Sequence, residues 1–128
     1  RIIYPRTSWE QKQKIADHIQ TKSPTFLLSP SMTEGVDLKD DISRVQIIAK
    51  MPFPYLGDPV VKKRMDMYPG YYALQTALAI VQAYGRSVRS QTDWAHTYIL
   101  DQQFESFVMR NPNLFPSWFI EAIVKLTL

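Results

Sequence analysis

Short apolar runs alternate with longer amphipathic stretches along this chain. The runs are predicted to be strands because they are brief and end at prolines or polar turns; they cover residues 2–4, 25–29, 45–50 and 97–100. The runs at 25–29 and 45–50 do not alternate with polar residues, which is typical of strands buried on both faces of a parallel sheet.

The amphipathic stretches predict four helices, at residues 9–20, 56–68, 71–90 and 118–126. Ser8 is the predicted N-cap of the first, whose partial apolar stripe is Trp9, Ile15, Ala16 and Ile19. The third has the clearest apolar face, formed by Leu74, Ala77, Leu78, Val81, Tyr84, Gly85 and Val88. Alternating strands and helices in 128 residues indicate one α/β domain.

Composition narrows the functional classes. A net charge of +3 and a pI of about 9.2 permit contact with nucleic acid but do not establish it. No apolar run is long enough to span a membrane. The absence of cysteine removes disulfides and thiolate ligands, so an iron–sulfur cluster is not in this segment. The sequence starts without Met or a signal-peptide pattern, and we expect a fragment of a longer protein.

The loop after residues 25–29 is the first candidate site, because ligands bind beyond the carboxyl ends of strands in open α/β sheets. Ser31 and Thr33 are candidates for hydrogen bonds to a phosphate, Gly35 permits close backbone approach, and Asp37 is a candidate acceptor from a ribose hydroxyl. From spacing alone, a capped turn with solvated carboxylates is the more frequent explanation.

The second candidate site lies on the predicted helix 71–90. An arc of about 60° beside its apolar face contains Gln75, Gln82, Arg86 and Arg89. Two converging guanidinium groups suit a phosphate, although surface arginines paired to Asp93 or Glu34 are the commoner arrangement. The chain has no G-x-x-x-x-G-K-[ST] sequence and no metal site is predicted, so another domain must hold any nucleotide.

These segments resemble motifs of the XPD/DinG-type superfamily 2 DNA helicases. Thr33-Glu34-Gly35-Val36-Asp37-Leu38 resembles motif V, and Gln82-Ala83-Tyr84-Gly85-Arg86-Ser87-Val88-Arg89 resembles motif VI. The family's further signatures also occur in the family's order. Pro52-Phe53-Pro54 lies between the two motifs, and motif VI is followed by Asp93, a strand ending in Asp101, and Pro116-Ser117-Trp118. The resemblance covers about residues 25–120. Motif V alone is a weak signal, and the resemblance is specific because all of these motifs occur together in the family's order.

The resemblance implies a three-layer RecA-like (P-loop NTPase-like) α/β domain with a mainly parallel sheet. Residues 1–128 would be the second motor domain of an intracellular helicase, in the cytoplasm, nucleoid or nucleus. The first RecA-like domain of the same chain would hold most of the ATP and Mg²⁺. Single-stranded DNA would cross both domains, with translocation from 5′ to 3′, and the fragment alone would be inactive.

The resemblance also assigns roles to single residues. Arg86 and Arg89 would reach the γ-phosphate, with Arg89 as the arginine finger. Other nucleotide contacts would come from Gln82, Glu34, Gly35 and Asp37, and DNA contacts from Ser31, Met32 and Thr33. Gln103 departs from the family, which often has Arg there. Two alternatives stay open: a non-catalytic nucleic-acid or protein binding module, and a superfamily 2 RNA helicase.

Overall fold

The structure is a computed structural model that describes residues 1–29, 38, 40–88 and 92–126. The chain divides into two compact units. Unit 1 comprises Arg1–Gln46 and Gly85–His96, and unit 2 comprises Ile47–Tyr84 and Thr97–Leu128.

Unit 1 contains a small strand–helix–strand arrangement. Strands β1 (Ile2–Ile3) and β2 (Phe26–Leu27) pair in parallel, with Ile2 opposite Phe26 and Ile3 opposite Leu27. Helix α1 (Ser8–Gln20) connects them, as parallel strands require a crossover. Near its end, His18 Nδ1 lies 2.6 Å from Thr25 Oγ1, which fixes the helix beside the start of β2.

Three predictions for unit 1 are wrong. The N-cap of α1 is Thr7, whose hydroxyl accepts from the Glu10 amide, and Ser8 is the first helical residue. Trp9, expected in the apolar stripe, is 88% exposed. The strand at 25–29 is not buried on both faces, because Phe26 and Leu28 are exposed.

A second two-stranded sheet pairs β3 (Val45–Ile48) with β4 (His96–Ile99). The His96 amide donates to the Arg44 carbonyl (2.9 Å), and the Leu100 amide donates to the Ile48 carbonyl (3.0 Å). These partners advance together along both strands, which is the parallel pattern. The prediction that this strand is buried on both faces is wrong, since Val45 and Ile47 are exposed and Gln46 is the buried side chain.

Unit 2 is mainly helical, with α2 (Pro59–Met67), α3 (Tyr71–Tyr84), α4 (Gln103–Arg110) and α5 (Ser117–Glu121). Helix α2 begins three residues later than predicted, where the Asp58 carboxylate accepts from the Val60 amide at 2.7 Å. Gly70, at φ +86°, makes the turn into α3. Helix α4 was not predicted from the sequence, and α5 is shorter than predicted.

Helix α3 differs most from its prediction. It ends at Tyr84 rather than near residue 90, and the next residue is Gly85, which has a low helix propensity. Its buried residues are Thr76, Ala77 and Ile80. Leu74 and Leu78, which were expected in the core, are exposed.

The core of unit 2 is aromatic. Its buried cluster is Met51, Ala77, Ile80, Phe115 and Phe119. The rings of Phe115 and Phe119 stack with centroids 5.2 Å apart. Phe53 stacks on Tyr72 at 5.8 Å, so the central residue of the Pro-Phe-Pro sequence serves packing. Among the described helices, none has the length and apolar character needed to cross a membrane.

Candidate nucleotide and DNA site

The residues of motif V lie almost entirely outside the described part of the chain. This applies to the predicted site residues Ser31, Met32, Thr33, Glu34, Gly35 and Asp37. The described residues on either side are Ser29, which follows β2, and Leu38, which is buried. Motif V therefore follows the carboxyl end of a parallel strand, as the sequence predicted.

The predicted residues of motif VI are distributed over different elements. Gln82 lies exposed in the last turn of α3, in unit 2. Arg86 lies beyond the helix, half-buried in the turn after Gly85, in unit 1. The prediction that Gln82 and Arg86 share one helical arc is therefore wrong, because the helix stops before Gly85. Arg89 lies outside the described residues.

The turn that carries Arg86 is fixed by the next residue. Ser87 is only 1% exposed, and its hydroxyl shares a 2.9 Å hydrogen bond with the hydroxyl of Ser43. The Nε atom of Arg86 is buried and has no hydrogen-bond acceptor within the described residues, although the residue interacts elsewhere. Ser43 lies in the segment that follows motif V, so this contact joins Ser87 of motif VI to that segment within unit 1.

A charged pair stands next to that contact. The Asp93 carboxylate is 2% exposed and accepts from Arg44 Nη1 at 2.5 Å and from the Trp94 amide at 3.0 Å. Arg44 also donates to the Trp94 carbonyl (2.7 Å) and to the Asp41 carboxylate (3.0 Å), and its guanidinium lies 4.8 Å from the Trp94 ring centroid. The hydrogen bond to Asp93 raises the pKa of Arg44; burial opposes this rise, and the hydrogen bond and charge of Asp41 add to it.

Asp101, the aspartate that ends the family's strand, has a structural role within unit 2. Its carboxylate accepts from the Met51 amide and from the Gln103 amide, each at 3.0 Å. These two hydrogen bonds lower the pKa of Asp101, and the bond from the Met51 amide contributes more than the bond from the Gln103 amide. They join the end of β3 to the start of α4. The side chain of Gln103 itself, at the position where the family often has Arg, is exposed in the first turn of α4.

The contacts of Ser43, Arg44 and Ser87 were not predicted from the sequence. They depend on residues far apart in the chain, as in the pairs Ser43–Ser87 and Arg44–Asp93. No described cluster of three or more His, Cys, Asp or Glu residues has the arrangement of a metal site.

Comparison with known proteins decides the family. Residues 1–122 match the helicase C-terminal domain family. The chain belongs to this family. The XPD/DinG-type resemblance is confirmed, and membership gives a RecA-like α/β fold.

Several of the similar curated proteins carry the word helicase in their names. The chain is 30% identical over 127 residues to a regulator of telomere elongation helicase 1 homolog of Aedes aegypti, covering 88% of this chain and 12% of that protein. It is 27% identical over 110 residues to the ATP-dependent DNA helicase CHL1 of Candida albicans, covering 72% and 13%. It is 31% identical over 94 residues to a Fanconi anemia group J protein homolog of Gallus gallus, covering 64% and 7%. The chain thus spans a small part of each relative.

Proposed function

We propose that residues 1–128 form the second RecA-like motor domain of an ATP-dependent DNA helicase, one that is inactive without the first domain. One structural observation carries this proposal. Unit 1 contains Arg86 together with the described residues that flank motif V and Arg89, so the arginine half of motif VI and the segment of motif V belong to one compact body, whereas Gln82 belongs to unit 2. Family membership and the names of the relatives support the same conclusion.

In this proposal the chain supplies positive charge to a nucleotide held elsewhere. ATP with Mg²⁺, bound mainly by the first domain, supplies the γ-phosphoryl group that water attacks. Arg89 donates hydrogen bonds to the oxygens on which charge increases, and Arg86 reinforces it from the preceding turn. Both residues are arginine, whose planar group presents several fixed donors to phosphate oxygens. Closure of the two motor domains brings the arginines to the nucleotide.

The remaining motif residues are assigned to the same cleft. Glu34, Gly35, Asp37 and Gln82 contact the nucleotide or transmit its state. Ser31, Met32 and Thr33 contact the backbone of single-stranded DNA, which crosses both motor domains. The complete domain is a three-layer structure with a mainly parallel sheet, and β1–β2 and β3–β4 are described parts of it. The intact protein acts inside the cell, where its DNA substrate is.

The test is ATP hydrolysis by the intact protein with single-stranded DNA present. We expect Arg89→Ala to lower the turnover rate by roughly 10³- to 10⁵-fold, because an arginine finger contributes that much to phosphoryl transfer. ATP affinity should largely persist, since the first domain provides most of the binding. Arg86→Ala should have a smaller effect in the same direction.

The matched control is Arg110→Ala, which removes an exposed arginine at the end of α4. This variant should keep the parent turnover rate. Near-parent turnover in Arg89→Ala would remove the finger role from the proposal. Equal stimulation of hydrolysis by RNA and DNA, or robust hydrolysis by the isolated chain, would contradict the assignment to a DNA-dependent second motor domain.

A further inference from the structure

Helix α2 has one side that the rest of unit 2 leaves uncovered. None of its residues is buried, and an open groove of about 410 Å³ runs along it. The residues that line this α2 groove are Pro59, Val60, Lys63, Arg64, Met67 and Tyr68. They form three neighbouring pairs spaced four residues apart, so they share one side of the helix. All of them belong to unit 2, and the groove is therefore a feature of one compact body.

The apolar part of the α2 groove is open to water. Val60 and Met67 are each 56% exposed, and Tyr68 is 58% exposed. Single exposed apolar residues are normal on a protein surface, but these side chains line one groove together with Pro59. Covering such a surface with another apolar surface is favourable. The groove therefore suits an occupant that presents apolar faces.

The charged part of the α2 groove is positive. Lys63 and Arg64 line it, Lys62 precedes them on the same helix, and no carboxylate is among the lining residues. The two aspartates nearby in the sequence do not offset this charge within the groove, because Asp58 caps the helix and Asp66 is not part of the lining. The occupant should therefore be an anion as well.

Arg64 is held in place before any ligand binds. Its Nη1 donates to the Tyr71 hydroxyl at 3.1 Å, and its Cζ lies 5.7 Å from the Tyr71 ring centroid. These contacts restrict the guanidinium group, so less conformational entropy is lost when it binds a ligand. A guanidinium group has several N–H donors, and the bond to Tyr71 leaves others for a phosphate oxygen.

The order of the lining residues along α2 indicates the class of occupant. An apolar pair (Pro59 and Val60) comes first, a cationic pair follows, and a second apolar pair (Met67 and Tyr68) ends the groove. Four helical residues rise about 6 Å, so each pair is about 6 Å from the next. A single-stranded dinucleotide has the same order, because one phosphate lies between two flat, apolar base faces.

We infer that the α2 groove is a contact site for single-stranded DNA that does not read its sequence. This inference rests on the proposed function, which supplies the strand. The Tyr68 ring stacks on one base, and Val60 packs against the next. Lys63 and Arg64 bind the phosphate between them. Since stacking and phosphate binding are possible with every base, the contact persists as the strand moves.

The first experiment measures how salt affects binding of fluorescein-labelled oligothymidine to the intact protein without nucleotide. The double substitution Lys63→Ala with Arg64→Ala should reduce the slope of log affinity against log salt by about 1.4, because each of two phosphate contacts contributes about 0.7 on a single strand. The matched control, Lys12→Ala with Arg110→Ala, removes the same charge from exposed positions on α1 and α4. An unchanged slope in the α2 variant, or an equal reduction in the control, would overturn the inference.

The second experiment tests the aromatic contact. Tyr68→Ala should weaken oligothymidine binding by roughly 5- to 100-fold, the effect of removing one stacking side chain, whereas Tyr68→Phe keeps the ring and should keep most of the affinity. The control is Tyr4→Ala, which removes a tyrosine of similar exposure (53%) from unit 1 and should bind like the parent. Parent-like affinity in Tyr68→Ala would contradict the stacking role and overturn the inference.

An acidic protein segment is the competing occupant, and a peptide of repeating Phe-Glu-Phe serves as its probe. Peptide binding that the α2 substitutions abolish, with oligothymidine binding unchanged, would assign the groove to a protein partner and overturn the inference. Peptide binding that is absent, or that the substitutions leave unchanged, together with the expected loss of DNA affinity, supports single-stranded DNA.

ATP turnover separates this inference from the proposed function. The α2 substitutions should raise the DNA concentration that gives half-maximal stimulation and leave the maximal rate near that of the parent. Arg89→Ala should lower the maximal rate instead. A parent-like DNA requirement in the α2 variants would overturn this inference and leave the finger role of Arg89 intact. Parent-like turnover in Arg89→Ala would overturn the finger role and leave the measured DNA affinities unaffected.

Discussion

Helix α3 leads into the arginine segment, and its orientation can be tested by one pair of substitutions. Ile80 is 0% exposed, whereas Leu78, two residues earlier, is 43% exposed. The sequence pattern predicts the opposite assignment for Leu78. Truncating each side chain to alanine removes three carbon atoms in both cases, so the pair differs in environment and not in chemistry.

The expected losses in the free energy of unfolding follow from how deeply each side chain is buried. Three buried carbons are worth about 2.4 kcal/mol at about 0.8 kcal/mol each, and the cavity left in the Phe115 and Phe119 cluster brings the loss for Ile80→Ala to about 2–5 kcal/mol. Leu78 is about half exposed, so only about half of the transfer free energy is lost in Leu78→Ala, and solvent can fill the space that is left. The expected loss in the free energy of unfolding is about 1 kcal/mol. Alanine's higher helix propensity reduces that loss slightly.

Urea unfolding of the 128-residue chain, followed by circular dichroism, measures both losses. With a slope of about 2 kcal/mol/M, Ile80→Ala should shift the midpoint by about 1 M or more, and Leu78→Ala by about 0.5 M. Unchanged slopes would show that the denatured state is the same. If Leu78→Ala costs as much as Ile80→Ala, the described orientation of α3 is wrong.

Two further predictions concern the ends of elements. The lowered pKa of Asp101 means that its contribution to stability is present above the ordinary carboxyl pKa and is lost as pH falls through the lowered one. Asp101→Asn should therefore lower the urea midpoint near pH 7, and the difference should shrink below about pH 4; a difference independent of pH would contradict this. Thr7→Ala should lower the free energy of unfolding by about 1 kcal/mol in the same assay, because the substitution removes the hydroxyl that caps α1. Thr7→Ser keeps a hydroxyl and should therefore keep most of that stability. Equal losses in both variants would exclude the hydroxyl as the cap.

The order of elements was predictable from the sequence, but their ends were not. Apolar runs located β1 to β4 to within a few residues because β-branched residues favour strands. Helix α4 was missed, although its phenylalanines at 104 and 107 are spaced to share one face and both pack on the core. The aspartate and asparagine-rich flanks made that segment resemble a loop.

Burial was the least predictable property. The predicted apolar face of α3 included Leu74, Ala77 and Leu78 but not Ile80. In the structure Ala77 and Ile80 are buried in the cluster with Phe115 and Phe119, and this packing has no signal in the local pattern. Likewise, motif spacing identified Arg86 but not the turn that holds it, because Gly85 was compatible with both a helix and a helix end. The contacts of Arg44 with Asp93 and Trp94 join residues about fifty positions apart, so no local pattern predicts them.

The affinity for ADP–aluminium fluoride relative to ADP tests the finger role most directly. This complex resembles the transferring phosphoryl group, so a residue that acts in the transition state contributes to its binding and not to that of ADP. The intact protein with single-stranded DNA should bind the analogue at least about 100-fold more tightly than ADP. Arg89→Ala should lose most of this preference with ADP affinity unchanged. If Arg89→Ala keeps the preference of the parent protein, this domain does not supply the arginine finger.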